Sequence, residues 1–205
     1  MDLFEYMSMQ RKKEESPLAV RMRPKNLDEV VGQQHIIGKD KLLYRAIKAD
    51  KISSLIFYGP PGTGKTTLAK VIANTTSADF VQMNATTSGK KDMEQAVSQA
   101  KDAFGMYGKK TILFIDEIHR FNKAQQDYLL PFVEDGTVIL IGATTENPYF
   151  EVNSALLSRS QIFHLEPLSQ KDICKLVKTA VEDNERGMGA YGAEITEEAA
   201  QFIAQ

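Results

Sequence analysis

Several features are scarce in this sequence, and each scarcity excludes a class of protein. Cys174 is the single cysteine, so no disulfide can form within the chain, which is usual in a reducing compartment. No apolar run approaches the ~18 residues that a transmembrane helix needs, and residues 1–10 contain no apolar signal-peptide core. With 25 Lys and Arg against 27 Asp and Glu, the net charge of −2 excludes a globally basic DNA-binding protein. We therefore expect a cytoplasmic protein with no membrane partner.

The residues that are present form an ordinary globular composition, with 42% hydrophobic and 25% charged residues. The runs Thr111–Ile115 and Val138–Ile141 are apolar throughout, which is typical of parallel strands buried on both faces. Pro131 lies inside a helical pattern and predicts a kink or a helix end there. Further strand patterns occur at Leu55–Tyr58, Phe80–Met83 and Ile162–Phe163, and helical patterns at Thr67–Asn74 and Met93–Phe104. The alternation predicts an α/β fold around a parallel sheet of five strands.

Composition and hydrophobic periodicity divide the chain into three parts. Residues 1–16 are charged and without a clean period, and we interpret them as a flexible N-terminal tail. Residues 17–166 carry the strand and helix alternation. Residues 167–205 carry two helical patterns, the first of which begins at a capping box of Ser169 and Asp172. The second pattern runs to the last residue without a stop signal, so we expect the chain to be a fragment that ends inside a helical domain.

The most specific motif is the glycine-rich run G-P-P-G-T-G-K-T between the first strand and a helix. Glycines let backbone N–H groups turn toward phosphate oxygens, and the helix N-terminus adds the positive end of its dipole. Lys65 is expected to reach the β- and γ-phosphates, and the Thr66 hydroxyl to ligate Mg²⁺. The motif by itself is compatible with ATP or GTP. The expected nucleotide contacts are Gly59, Pro60, Pro61, Gly62, Thr63, Gly64, Lys65, Thr66 and Thr67.

Two adjacent acids follow the third strand pattern. Asp116 is expected to hold the magnesium ion, and Glu117 to orient and polarise an attacking water. Separate duties for two neighbouring acids favour an ATPase over a GTP-dependent switch. His119 makes the segment resemble the DExH box of helicases, but no second RecA-like domain follows. We therefore interpret His119 as a structural or coupling residue.

Further motifs accompany the glycine-rich run and the acid pair, namely Arg23–Gln33, Arg120–Pro148, Ala143–Thr145 and Ser158-Arg159. In this order they resemble AAA+ ATPases of the clamp-loader and RuvB type. Within that group the chain is most similar, over residues 17–205, to the family of replication-associated recombination protein A (RarA or MgsA), which includes the Werner-helicase-interacting protein. The resemblance implies a three-layer P-loop NTPase sandwich followed by an α-helical lid. It also implies a Mg²⁺-dependent ATP hydrolase that acts in replication-fork maintenance, recombination and repair.

The resemblance implies roles for individual residues as well. Asn84 matches the switch residue that holds the catalytic glutamate until DNA is engaged. Thr145 matches the sensor-1 position near the γ-phosphate, and Arg159 matches the arginine finger that is offered to a neighbouring subunit's ATP. The residues that resemble the adenine-packing segment are Arg23, Pro24, Val30 and Val31.

The partners that the resemblance implies are single-stranded, gapped or forked DNA and further copies of the chain. It implies a tetramer formed through a C-terminal region beyond residue 205, where the sensor-2 arginine would also lie. A single-stranded-DNA-binding protein or a sliding clamp is a further possible partner, and the location would be nucleoid-associated. No sequence-reading motif is present, so DNA binding is expected to use the phosphate backbone and to be salt-sensitive. The candidate contacts are Lys90, Lys91, Lys109, Lys110 and Lys123.

Other AAA+ functions fit the sequence less well. The short Asp135–Thr137 connection leaves no room for the hairpin insertion of RuvB-type motors. Cys174 can provide neither the zinc insertion nor the Ser-Arg-Cys finger of clamp-loader ATPase subunits. Protein unfoldases present an aromatic-hydrophobic-glycine pore loop, whereas Asn84 is followed by Ala-Thr-Thr-Ser-Gly. A clamp-loader ATPase subunit or a RuvB-like branch-migration motor remains the alternative.

Overall fold

The computed structural model describes residues 16–205, so the predictions for residues 1–15 lie outside the described residues. The chain divides into two compact units. The larger spans Lys25–Pro167, and the smaller groups the described residues up to Pro24 with Leu168–Gln205. The three-part division expected from the sequence stays a prediction. No helix in the described range is both long and apolar enough to cross a membrane.

The larger unit is built on five parallel strands in the order β2-β3-β4-β1-β5. Their bounds are β1 Ser54–Tyr58, β2 Asp79–Asn84, β3 Thr111–Asp116, β4 Val138–Thr144 and β5 Ser160–His164. Every residue of β3 and β4 except Asp116 is buried, as the unbroken apolar runs predict. The predicted parallel sheet is confirmed.

The helices surround this sheet or belong to the smaller unit. In chain order they are α1 Leu18–Arg21, α2 Gln34–Ile37, α3 Leu42–Lys48, α4 Lys65–Thr75, α5 Lys90–Tyr107, α6 Lys123–Glu134, α7 Pro148–Glu151, α8 Ser154–Leu157, α9 Gln170–Glu182 and α10 Glu197–Ile203. Three 3₁₀ turns occur at Leu27–Glu29, Ile118–Arg120 and Gly189–Tyr191.

Two hydrophobic cores cover the two faces of the sheet. Successive side chains of a strand point to opposite faces, and β3 shows this clearly. Ile112 and Phe114 belong to the core that includes Leu68 of α4. Leu113 and Ile115 belong to the core that includes residues of α5 and α6. Helices on both faces of a parallel sheet give the three-layer arrangement that the resemblance implies.

Helix α6 begins at a capping box in which Asn122 and Gln125 each accept a hydrogen bond from the other's backbone N–H. Pro131 lies inside the helix, which continues to Glu134. The helix therefore does not end at Pro131, and of the two predicted outcomes the kink stays a prediction. Pro131 is exposed and in the last turn, where the N–H that a proline lacks removes only one of the helix's final hydrogen bonds.

The smaller unit contains the predicted capping box of α9. Ser169 Oγ accepts from the Asp172 N–H, and Asp172 Oδ2 accepts from the Ser169 N–H, which confirms that helix start. Lys178 on α9 is ion-paired with Glu197 on α10. That contact lowers the pKa of Glu197 and raises the pKa of Lys178, because each charged form stabilises the other.

The strand order determines where the sequence motifs meet. Strand β4 lies between β1 and β3, so the loops that follow these three strands are adjacent at one edge of the sheet. Tyr58 at the end of β1 pairs with Thr144 at the end of β4. Asp116 ends β3, the next strand along. In open parallel sheets this carboxyl edge, where the order of connections reverses, is the usual place for a ligand.

Candidate active site

The glycine-rich loop between β1 and α4 adopts backbone conformations that side chains rarely reach. Gly62 and Gly64 have φ angles of 80° and 91°. A Cβ built on either would meet no atom within 4 Å, so the space beside each of these two glycines is open. Gly59 has a φ of 147°, and a Cβ there would lie 2.2 Å from the backbone oxygen of Leu165. The first glycine is thus required by a close approach of two chain segments, and the later two by the turn itself.

Lys65 begins α4 and is only 8% exposed. Its Nζ donates hydrogen bonds to the backbone oxygens of Gly59 at 2.6 Å and Pro60 at 2.8 Å. Burial lowers the pKa of the Lys65 ammonium, while the charges of Glu117 and Asp116 act in the opposite direction. The ammonium therefore lies within the loop, near both acids that follow β3.

Thr66 and Asp116 face each other at the sheet edge. Thr66 Oγ1 lies 3.5 Å from Asp116 Oδ2, at the outer limit of hydrogen-bonding distance. A hydroxyl and a carboxylate are the hard oxygen donors that Mg²⁺ prefers, and Mg²⁺ commonly binds through one or two protein oxygens together with phosphate. The side chains present therefore fit the metal site expected from the sequence, and Thr66 and Asp116 would hold the ion.

Glu117 has a left-handed backbone conformation, with φ 54° and ψ 44°. This conformation is uncommon for a residue with a side chain and costs free energy, so the surrounding structure must impose it. The Glu117 Oε2 atom lies 3.5 Å from Thr145 Oγ1 and 3.3 Å from His119 Nδ1. The structure thus brings together Glu117 and Thr145, which the sequence analysis assigned separately.

Asn84 ends β2 and pairs in register with Asp116 on β3. Its Oδ1 accepts hydrogen bonds from the Thr86 N–H at 2.9 Å and from Thr86 Oγ1 at 2.6 Å. Among the described residues no hydrogen bond joins its side chain to Glu117. The switch role of Asn84 stays a prediction.

Arg159 is exposed on the segment between α8 and β5. Its Nη2 lies 2.6 Å from Glu134 Oε1, and its Nη1 donates to the Ala155 oxygen at 2.9 Å and to Ser158 Oγ at 3.0 Å. The guanidinium is therefore bound by its own chain. Its role as a finger stays a prediction.

The segment expected at adenine falls in both units. Val30 and Val31 are half-buried in the larger unit, where Val30 packs against the core that contains Leu68. Arg23 and Pro24 belong to the smaller unit. Their contact with adenine stays a prediction.

Two residues that the sequence analysis did not single out support the site. Gln33 is 7% exposed, and its Nε2 donates to the backbone oxygens of Glu166 at 2.7 Å and Thr63 at 3.3 Å. It therefore connects the glycine-rich loop to the chain after β5. Thr144 is fully buried at the end of β4 and hydrogen-bonds with His119. In the sequence, each of these two residues is only a polar residue next to a strand or a turn. The local pattern cannot distinguish such a residue from an ordinary helix cap.

The lysines expected at DNA do not share one environment. Lys109 is ion-paired with Asp79, and Lys90 lies 3.5 Å from Glu94 on the same helix. Lys91, Lys110 and Lys123 are exposed, and the other candidates are exposed too. Exposure permits contact with a phosphate backbone, and this role stays a prediction.

Comparison with known proteins gives consistent results. The model of the ATPase family associated with various cellular activities (AAA) matches residues 55–168. Replication-associated recombination protein A of Escherichia coli is 51% identical over 92% of this chain and 42% of its own length. The protein of the same name from Bacillus subtilis is 47% identical over 92% of the chain and 44% of its own length. ATPase WRNIP1 of Dictyostelium discoideum is 44% identical over 87% of the chain and 20% of its own length.

A solved structure shares the fold. The RuvB Holliday junction branch migration motor of Thermotoga maritima matches with a TM-score of 0.69 and 30% identity, over 90% of this chain and 59% of that one. The chain thus spans less than half the length of the recombination proteins that it matches.

Proposed function

The chain belongs to the AAA ATPase family, and from this premise we propose that the protein is a DNA-linked ATPase that hydrolyses ATP to ADP and phosphate. We place it in replication-fork maintenance, recombination and repair. The relatives named for replication-associated recombination support this assignment with identity near one half over most of the chain.

The observation that carries the proposal is that three sequence motifs lie together at one edge of the sheet. They are the glycine-rich loop, the acid pair Asp116 and Glu117, and the Ala143–Thr145 segment. Lys65 lies inside the glycine-rich loop, with Asp116 and Glu117 close enough to act on its pKa. Thr66 faces Asp116, and Thr145 faces Glu117. A phosphate cradle, two oxygen donors for a cation and a carboxylate beside a hydroxyl are the groups that phosphoryl transfer to water requires.

Each residue then has a distinct task. Backbone N–H groups of the open glycine-rich loop bind phosphate oxygens, and the Lys65 ammonium exchanges its carbonyl partners for the β- and γ-phosphates. A bound Mg²⁺ ion would neutralise charge on these phosphates. Glu117 orients a water toward the γ-phosphate and accepts its proton. Thr145, whose hydroxyl lies 3.5 Å from Glu117, holds the geometry.

The DNA partner and the assembly belong to the proposal too. Single-stranded, gapped or forked DNA, a tetramer, and a single-stranded-DNA-binding protein or sliding clamp fit the functions named for the relatives. A cytoplasmic, nucleoid-associated location follows from the same assignment. Backbone contacts through exposed lysines such as Lys110 and Lys123 would make DNA affinity fall steeply with salt.

A RuvB-like branch-migration motor is the second candidate, and the shared fold favours it. Against it stands the connection between α6 and β4. Only Asp135, Gly136 and Thr137 separate Glu134 from Val138, which leaves no hairpin of the kind expected in such a motor. Branch migration of a four-way junction, measured with the full-length protein, would support this candidate.

Paired substitutions test the ATPase assignment. Lys65→Ala removes charge-assisted hydrogen bonds to phosphate, each worth about 1.5–3 kcal/mol, so ATP affinity should fall at least about tenfold. Glu117→Gln should bind ATP as the parent does but lower single-turnover hydrolysis by about 100-fold or more. Lys70→Ala, five residues further along the same helix, is the matched control and should change neither. Parental hydrolysis in Glu117→Gln would contradict the assignment.

A second measurement separates the competing cellular roles. We expect single-stranded or forked DNA to stimulate ATP hydrolysis of the full-length protein, and Glu117→Gln to abolish the stimulated rate. Stimulation that requires a sliding clamp as well as DNA would instead support the clamp-loader alternative. A rate that neither DNA nor a clamp changes would contradict a DNA-linked function.

A further inference from the structure

His119 is held in the wall of the site rather than exposed on the surface. Its side chain is only 8% exposed, although it lies on the 3₁₀ turn that directly follows Glu117. Among residues 16–205, one ring atom, Nδ1, makes both polar contacts of this side chain. Nδ1 lies 2.9 Å from Thr144 Oγ1 and 3.3 Å from Glu117 Oε2. The imidazole therefore stands between the end of β4 and the carboxylate that follows β3.

The neighbours of Nδ1 determine which ring nitrogen carries the proton. A carboxylate oxygen only accepts hydrogen bonds, so an Nδ1 lone pair facing Glu117 would be repelled. The Nδ1–H form removes this repulsion and can donate to Thr144 Oγ1. Thr144 Oγ1 also accepts the N–H of Glu146 at 3.0 Å, and its two lone pairs are sufficient for both donors. The Glu117 carboxylate therefore favours the tautomer with hydrogen on Nδ1.

Thr144 connects this histidine to the phosphate loop. Its backbone oxygen accepts the N–H of Gly59 at 3.3 Å, while its hydroxyl contacts His119. Thr144 is 0% exposed and cannot move without disturbing β4. A continuous path of polar contacts therefore runs from the first residue of the loop to Glu117. It passes by hydrogen bonds through Thr144 to His119, and then across the 3.3 Å between His119 Nδ1 and Glu117 Oε2.

We propose that His119 is the positioning residue for Glu117, holding its carboxylate toward Thr145 and the glycine-rich loop through an Nδ1–H group that faces the carboxylate and is anchored on Thr144. The inference rests on the proposed role of Glu117 as the group that orients water. A glutamate side chain has several rotatable bonds, and Glu117 is about one-third exposed. Without a fixed donor its carboxylate would sample many orientations, and misplacement by about 1 Å can cost up to 100-fold in rate.

The alternative restraint would be the NH₂ group of Asn84, but among the described residues it makes no hydrogen bond to Glu117, and the amide oxygen of Asn84 is engaged by Thr86. Thr145 alone is a weaker restraint, since its hydroxyl lies 3.5 Å from Glu117 on an exposed residue. The His119 side chain is nearly buried and is anchored on Thr144, so it is the stronger restraint.

The test uses two amides that each mimic one ring nitrogen. An asparagine side chain places its NH₂ group near the position of Nδ1, whereas a glutamine places it near Nε2. In the full-length protein we expect His119→Ala to lower single-turnover ATP hydrolysis about tenfold or more, with ATP affinity within about twofold of the parent. His119→Asn should recover most of the rate, and His119→Gln should not. Thermal unfolding of each variant identifies any loss of fold.

The outcomes separate this inference from the proposed function. Glu117→Gln is measured beside the histidine variants, and unchanged hydrolysis there would overturn the role of Glu117 itself. If Glu117→Gln is inactive while His119→Ala keeps the parental rate, His119 does not position it. Equal rates in His119→Asn and His119→Gln would overturn the assignment to Nδ1, and a faster His119→Ala would show a restraining histidine instead.

A second pair of variants, at Thr144, tests the inference if His119→Ala does not fold. Thr144→Val removes the anchor hydroxyl at nearly constant volume, and Thr144→Ser retains it. The inference expects slower hydrolysis with unchanged ATP affinity in the valine variant and near-parental hydrolysis in the serine variant. Parental hydrolysis in folded Thr144→Val would overturn the anchoring step.

Discussion

At the scale of single residues, backbone conformation rather than side-chain chemistry determines what the loop tolerates. Gly59 and Gly62 both have positive φ angles, but they differ in what surrounds them. A Cβ at Gly59 would clash with the backbone of Leu165, which cannot rotate away, whereas the space around Gly62 is open. Glycine is therefore required in this motif for two different physical reasons, which are a close backbone contact at Gly59 and a left-handed turn at Gly62.

This difference predicts different stabilities for two alanine variants. Gly59→Ala adds a backbone clash to an unfavourable φ and should lower the free energy of unfolding by about 3 kcal/mol or more. Gly62→Ala meets only the left-handed conformation and should cost about 1–2 kcal/mol. Urea unfolding of both variants beside the parent gives the comparison. Equal losses would show that Leu165 is not the constraint.

Left-handed Glu117 is the residue-scale feature with the clearest link to chemistry. Its strained conformation turns the side chain away from the path that a continuing strand would take, and His119 and Thr145 contact it there. Strain of this kind is found where a functional geometry has to be maintained. We therefore connect the strain to the placement of the carboxylate.

At the scale of elements, α6 illustrates how local signals compete. The capping box of Asn122 and Gln125 at its start is a strong signal for helix formation. Pro131, near its end, is a signal that favours breaking the helix. The helix nonetheless continues to Glu134, whose carboxylate pairs with Arg159. Phe132 and Val133 of the last turn pack against the core that contains Leu129, and this packing favours the helical form.

The cap of α6 makes a quantitative prediction. Asn122→Ala leaves the Gln125 N–H without its partner and should lower the free energy of unfolding by about 1 kcal/mol. Asn122→Ser retains an acceptor and should cost only a few tenths of a kcal/mol. Urea unfolding distinguishes the two, and a similar loss in both would mean that packing, not the cap, holds the helix start.

At the scale of the whole molecule, the question is whether one chain contains a complete site. Lys65, Asp116 and Glu117 meet within the larger unit, but Arg159 is bound to Glu134 and to neighbouring atoms of its own segment. If Arg159 serves the ATP of a neighbouring subunit, it must exchange Glu134 for phosphate when the subunits assemble. An arginine finger can contribute ~10³-fold or more to the rate.

Mixing two inactive full-length variants tests this arrangement. Arg159→Ala and Lys65→Ala should each hydrolyse ATP poorly alone, because one lacks the finger and the other the phosphate ligand. In mixed oligomers an intact loop can meet an intact finger, so part of the activity should return. Each variant mixed with itself is the control. Proven co-assembly without recovery would show that Arg159 does not act across subunits.

The sequence by itself determined the fold class and the local elements. The buried runs Thr111–Ile115 and Val138–Ile141 and the capping box at Ser169 depend on local spacing, and local spacing is visible in one dimension. These elements were predicted correctly. The G-x-x-x-x-G-K-T run lies between a strand and a helix as expected, and its nucleotide contacts stay a prediction. The helix does not end at Pro131, because a single local cost is small beside the packing of a whole helix.

Only the tertiary structure decided which side chains surround Glu117. Thr144 and His119 are 25 residues apart, and Gln33 and Glu166 are 133 apart, so no local period relates either pair. Thr144 and His119 meet because the strand order β3-β4-β1 aligns the ends of strands that the chain visits at distant points. The arrangement of hydrogen bonds at that edge is a property of the sheet's topology, which brings non-local partners together and buries them where each polar atom needs a partner.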